Sequence, residues 1–126
     1  MKKVITIPAD QIMNDYLHEC FRYDCDTGIL TWNVRPQHHF RSFRAWRATN
    51  ARYAGKSAGT RLSNDGYLRV GLGGGMQLAH RIIWAMAHGL DLNEVPELID
   101  HHDLDGTNNR LGNLREADYA SNSQNR

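Results

Sequence analysis

This chain is short of most features that would place it in a membrane or in an oxidising compartment. It has only two cysteines, Cys20 and Cys25, in 126 residues. They allow at most one small disulfide or half of a metal cluster, so a cysteine-rich zinc framework is excluded and no structural zinc is expected. Two reduced thiols near a helix end are the expected state. No apolar run approaches the ~18 residues that would cross a bilayer. The opening Lys2-Lys3-Val4-Ile5-Thr6-Ile7-Pro8 starts like a signal peptide, but its apolar stretch is too short and Pro8-Ala9-Asp10 ends it. A cytoplasmic protein without membrane partners is expected. Internal repeats and low-complexity segments are also lacking, and the length suits one domain, 1–126, with one modest core.

Net charge is scarce too, at +1, but its distribution is uneven. Arg35, Arg41, Arg44, Arg47, Arg52, Lys56, Arg61 and Arg69 face only Asp65 within their stretch. Asp91, Glu94, Glu97, Asp100, Asp103, Asp105, Glu116 and Asp118 then outnumber Arg110 and Arg115. A basic middle precedes an acidic end. Trp32, Phe40, Phe43, Trp46 and Tyr53 are interleaved with the arginines, a mixture suited to backbone-phosphate contact with packing or groove insertion.

Periodicity predicts an amphipathic helix over Ala9–Phe21, with Ile12, Tyr16, Cys20 and Met13, Leu17, Phe21 at helical spacing. Tyr23–Gly28 reads as a turn and Ile29–Trp32 as a strand. Arg35–Asn50 has no clear period, and is expected to be irregular or mobile and ordered by nucleic acid. Within it, His38-His39 reads as a pair of surface histidines lacking further ligands. Gly55–Thr60 is a short strand or loop, Asn64-Asp65-Gly66 a turn, Tyr67–Leu72 a strand, Gly73–Gly75 a hairpin tip and Met76–Ala79 the returning strand. His80–His88 reads as a helix stopped by Gly89. His80 is expected to be a capping or hydrogen-bonded structural histidine. Leu90–Glu97 is a loop, Leu98–His101 a strand, Leu111–Ala117 a return strand, and Asp118 or Ser121 caps a final helix holding Asn122.

Chemistry concentrates in Ile99-Asp100-His101-His102-Asp103-Leu104-Asp105-Gly106-Thr107-Asn108-Asn109-Arg110-Leu111-Gly112-Asn113-Leu114-Arg115, then Ser121-Asn122. An acid and a histidine sit together at the end of a short apolar run, ahead of a loop dense in Asp, Gly and Asn. Carboxylate and amide oxygens are hard donors, suited to Mg²⁺ or Mn²⁺. With an imidazole as proton acceptor, such a set suits metal-assisted phosphodiester hydrolysis.

This run resembles the HNH endonuclease motif, in the His-Asn-Asn variant of phage-encoded, homing-type nucleases. Those read approximately Val-Asp-His-x-Asp-Gly-Asn-x-x-Asn-Asn-Arg-x-x-Asn-Leu-Arg, then Ser-x-Asn. Asp100, His101, Asp103, Asn108, Asn109, Arg110, Asn113, Leu114, Arg115 and Asn122 match without insertion or deletion. The resemblance implies His101 as general base, Asp100 and Asn122 as ligands of one divalent ion, and Asn113 as the brace of the loop. Two departures stand out. His102 replaces the usual apolar or lysine residue, so either histidine could face the phosphate, with family spacing favouring His101. Leu104-Asp105-Gly106 also replaces the usual Gly-Asn, which changes the turn but not the loop length.

The resemblance implies an α+β chain in three parts. Residues 1–53 hold an N-terminal helix, a strand and the basic segment. Residues 54–97 form a small antiparallel sheet with a packed helix, similar to AP2-type DNA-binding modules. Residues 98–126 form the ββα-metal motif. The implied activity is metal-dependent cleavage of double-stranded DNA in the cytoplasm of a host cell. The implied DNA contacts are Arg35, Arg41, Arg44, Arg47, Arg52, Lys56, Arg61, Arg69, Arg110 and Arg115. A monomer would nick, and a homodimer could cut both strands. Two alternatives are a catalytically silent AP2-like DNA-binding protein and a nonspecific nuclease.

Overall fold

A computed structural model describes residues 12–61 and 64–117. The expected final helix, with Ser121 and Asn122, lies outside them, as do Ala9–Gln11 of the expected first helix. The fold is α+β, with small antiparallel sheets and helices packed on them.

The first helix, α1 (Asn14–Cys20), ends one residue before the periodicity implied. Phe21 is already extended (φ −136°, ψ 154°), and the chain runs directly into β1 (Phe21–Asp24). β1 pairs with β2 (Ile29–Trp32) in register Phe21↔Trp32 to Asp24↔Ile29, so the expected turn is only the tip of a hairpin. Phe21 is buried at the start of β1, which is why the apolar helical pattern ran one residue too far.

The segment expected to be irregular contains α2 (Phe43–Tyr53). Ser42 Oγ caps it by accepting from the Ala45 amide at 3.0 Å. No residue of α2 is buried, so the apolar stripe that marks a helix in sequence is absent. It is held at its rim instead. Trp46 Nε1 donates to the Arg35 carbonyl at 2.7 Å, and the Asn50 amide both donates to that carbonyl and accepts from the Arg35 amide.

The middle of the chain forms a three-stranded antiparallel sheet, β3 (Thr60–Arg61), β4 (Leu68–Leu72) and β5 (Gly75–Leu78), in that order. Helix α3 (Ala79–His88) follows without a loop and stops at Gly89, whose φ of 67° is the left-handed C-cap expected of glycine. Ile82, Ile83 and Met86 of α3 pack with Ile12, Leu17, Val70, Leu72, Leu92 and Leu114 in the core. Burying each of these large side chains contributes about 1.5–3 kcal/mol. Asn14 fastens α1 to the end of α3, its side chain donating to the carbonyls of Ala85 and Leu90.

Beyond a 3₁₀ turn at Leu92–Glu94, β6 (Leu98–His101) pairs antiparallel with β7 (Leu114–Ala117). Arg81 of α3 sets the approach to β6, its Nη1 donating to the carbonyls of Pro96 at 2.8 Å and Glu97 at 3.2 Å. No helix among the described residues is long and apolar enough to cross a membrane.

Candidate active site

Side chains alternate along β6, so Asp100 and His101 point to opposite faces of the β6–β7 hairpin. Asp100 lies opposite Arg115. Its Oδ2 accepts from Arg115 Nη2 at 3.0 Å and from Nε at 3.3 Å, while Arg115 Nη1 donates to His102 Nδ1 at 3.1 Å. The exposed His102 therefore shares Arg115 with Asp100. His101 is buried at 3% exposure. Its Nε2 lies 2.8 Å from Asn109 Oδ1, itself buried. With the amide oxygen accepting, Nε2 carries the imidazole proton and Nδ1 keeps the lone pair.

The loop joining the strands is tied by one carboxylate. Asp103 accepts from Asn108 Nδ2 at 2.7 Å, from Asn113 Nδ2 at 2.9 Å and from the Asp105 amide at 2.9 Å. These bonds, led by that from Asn108, hold its carboxyl down at about 2. Asn113 returns the contact by accepting from the Asp103 amide and also donates to the Asn108 carbonyl. It thereby spans the loop from both sides. The departure from family pattern appears here as Leu104, whose φ of 66° falls in the left-handed region. Gly106 is needed for another reason. A Cβ there would lie 2.7 Å from the Gly66 carbonyl and from the Tyr67 ring.

Residues far away in sequence complete the site. Tyr67 stacks obliquely on His101 and His80, with ring centroids 5.6 and 5.4 Å away. His80, in the first turn of α3, meets His101 edge to face at 4.9 Å and 77°. It neither caps α3 nor forms the expected hydrogen bond. Its Nδ1 is buried with no partner among the described residues. Burial, then the neighbouring His101, pushes its imidazole down to about 4, so it is neutral at pH 7. From the sequence His80 reads as a capping or hydrogen-bonded structural histidine, and Tyr67 only as a strand residue. Their one signal was a histidine opening an otherwise apolar helix. On the other side, Tyr23 of β1 donates to the Asn109 carbonyl. Gly28 (φ 75°) packs so tightly that a Cβ would lie 2.5 Å from the Arg110 amide nitrogen.

The cationic residues are spread out. Arg44, Arg47 and Arg52 are exposed on α2, with Arg41 just before it and Lys56 just after; Arg110 is exposed beside the loop. Arg35 is committed inward. It donates to Tyr16 Oη at 2.7 Å and to His39 Nδ1 at 3.1 Å, and lies over the Tyr16, Trp32 and Phe40 rings. Arg69 pairs with Asp65 and Arg115 with Asp100. The Arg61 side chain, like Asn122, falls outside what is described.

No curated protein sequence matches the chain. Among solved structures it is similar to that of the HNH homing endonuclease I-HmuI, described for DNA binding and cleavage, at 23% identity and a TM-score of 0.46. That match covers 83% of this chain and 50% of the other, so the chain spans about half the length of that protein. Residues 77–124 match the sequence model of the HNH endonucleases. The matched stretch runs from β5 through α3 to β7 and takes in Asp100, His101 and the Asp103–Asn108–Asn113 tie. Over this segment, rather less than half of the chain, the sequence is similar to the HNH endonucleases.

Proposed function

We propose that this protein is a metal-dependent DNA endonuclease of the phage homing type, with His101 as general base. The observation that carries this reading is the Nε2–H bond from His101 to Asn109 within the family-matched hairpin. It fixes the tautomer and leaves Nδ1 as the proton acceptor. In that role His101 takes a proton from water for in-line attack on a phosphodiester, leaving 5′-phosphate and 3′-hydroxyl ends. His80 and Tyr67 wall in the ring and restrict its rotation. Asn113 holds the loop so that Asp100 and His101 keep their relative positions.

The donor chemistry fits a hard divalent cation. Asp100 offers a carboxylate paired with Arg115, and Asn122 would add an amide oxygen. Mg²⁺ or Mn²⁺ held there would neutralise charge on the phosphate and the leaving oxygen. Arg41, Arg44, Arg47, Arg52, Lys56 and Arg110 would meet DNA phosphates, and Arg61, Arg69 and Arg115 would border the same path. Arg35 would act indirectly, by holding the start of the basic segment.

One observation favours a second assignment. His102, not His101, is the exposed histidine on the Asp100–Arg115 side of the hairpin. The test is nicking of supercoiled plasmid in Mg²⁺ or Mn²⁺, with and without chelator. His101→Ala is expected to abolish cleavage and spare DNA affinity, while His102→Ala keeps substantial activity. The reverse result would move the base to His102. Full activity in chelator would sink the metal-dependent reading.

A further inference from the structure

Outside the nuclease hairpin, one group of side chains converges without an assigned purpose. Glu19 on the last turn of α1 and the neighbours His38 and His39, in the 3₁₀ turn Gln37–His39, point ligand atoms at one another. These atoms all lie within 4.8 Å. Glu19 Oε2 is 3.3 Å from His38 Nε2, and Glu19 Oε1 is 3.3 Å from His39 Nε2.

The two contacts use different oxygens of Glu19, so one carboxylate faces both imidazoles at once, and in the metal-free state the His39 contact is a long hydrogen bond. The group also has the division of mobility that such a site needs. The His39 side chain is only 1% exposed and is fixed by its surroundings, while His38 at 70% and Glu19 at 40% can adjust and leave a coordination position open to solvent.

We propose that Glu19, His38 and His39 form a binding site for a borderline divalent transition ion of the zinc class. It is distinct from the hard-ion site of the nuclease reading and does not depend on it. Two imidazoles and one carboxylate favour zinc-class ions over Mg²⁺, whereas Asp100 and Asn122 offer only oxygen. Loading requires a change of tautomer. Arg35 Nε–H donates to His39 Nδ1 at 3.1 Å, so in the metal-free ring the proton sits on Nε2. With an ion on Nε2, the proton moves to Nδ1, so Arg35 Nε–H must give up that bond and turn away, and Cys20 Sγ at 3.9 Å becomes the acceptor for Nδ1–H. Arg35 keeps Tyr16 and its three aromatic neighbours. The bound ion ties the turn leading into α2 to α1, and so adds a fixed point to a helix that buries none of its residues.

The test uses the full chain carrying Asp100→Ala, which removes the carboxylate of the other site. Zn²⁺ titration is expected to give one equivalent bound and a rise in Tm. Co²⁺ should give the intense visible absorption of a four-coordinate ion. Adding His38→Ala, at an exposed position that the fold does not need, is expected to weaken binding by about tenfold or more and to remove the absorption and the Tm rise. Glu19→Gln should weaken it similarly. Zn²⁺ affinity unchanged by His38→Ala and Glu19→Gln, or no binding in the Asp100→Ala chain, would overturn the proposal.

Discussion

His80 shows most directly how burial becomes a measurable property. Its imidazole, ordinarily protonated near 6.5, is pushed down to about 4 in the fold. Between those values the unfolded chain binds the extra proton. Stability from this group is therefore complete above pH 6.5 and is lost as pH falls toward 4, by about 3 kcal/mol in all. His80→Phe keeps a ring against His101 and cannot titrate. Its urea midpoint is expected to fall much less than that of the parent between pH 7 and 4.5. Equal losses in the two proteins would show that His80 is hydrated in solution. Leu104 gives a second residue-scale prediction. Its left-handed backbone costs about 1–2 kcal/mol, and its side chain, 75% exposed, returns little packing. Leu104→Gly should stabilise the protein by about 0.5–1 kcal/mol after the entropy of glycine is counted. Thermal unfolding checks this, and a lower Tm would mean that Leu104 packs against something. Gly106→Ala should destabilise, because Gly66 and Tyr67 occupy the space. Asp100, His101 and Asn113 stand out in the sequence because the motif is contiguous. His80 and Tyr67 do not, because their contacts with His101 join elements that only the fold brings together.

At the scale of elements, strands and glycine-marked ends were the legible part. β2 and β6 fall on the expected strands, and α3 stops at Gly89. The element that escaped was α2, since a helix held by its rim has no apolar stripe to read. Its geometry sharpens the nucleic-acid hypothesis. At helical spacing, Trp46, Asn50 and Tyr53 share the inward face, while Arg44 and Arg47 point outward with the small Ala48 and Ala51. A narrow cationic ridge with small residues around it can approach a phosphate backbone closely. If Arg44 and Arg47 each meet a phosphate, the double Arg44→Ala, Arg47→Ala variant should lower the slope of log affinity against log salt by about two. Fluorescence anisotropy across a salt series measures it. An unchanged slope and affinity would make α2 a solvated face and move the DNA path to the sheet around Arg61 and Arg69. Ser42→Ala serves as the control. It should cost about 1 kcal/mol of stability through the lost cap and leave the slope intact.

The whole molecule matters because the β6–β7 hairpin does not supply its own supports. The family match begins at residue 77, yet contacts from before it hold the site. Tyr23 bonds to the Asn109 carbonyl, Gly28 presses on the backbone of Asn109 and Arg110, and Tyr67 covers both His80 and His101. The apolar face of α3 has the same dependence, since Ile82, Ile83 and Met86 pack in a core that includes Leu17, Phe21, Leu30, Val70 and Leu72. Cutting before residue 77 would expose that face and leave a two-stranded hairpin, which is marginal alone in water. A fragment of residues 77–126 is therefore expected to show little helical signal by circular dichroism and no nicking of supercoiled plasmid. A folded, active fragment would show that the N-terminal layers serve only DNA binding. Gly28→Val makes the same point within the intact chain. A branched side chain at a positive φ, pushed into the Asn109–Arg110 backbone, should reduce cleavage sharply although Gly28 is remote in sequence from every motif residue. The variant must be compared with the parent at a temperature where circular dichroism shows both folded. Undiminished nicking there would mean that the hairpin keeps its geometry without the β1–β2 buttress.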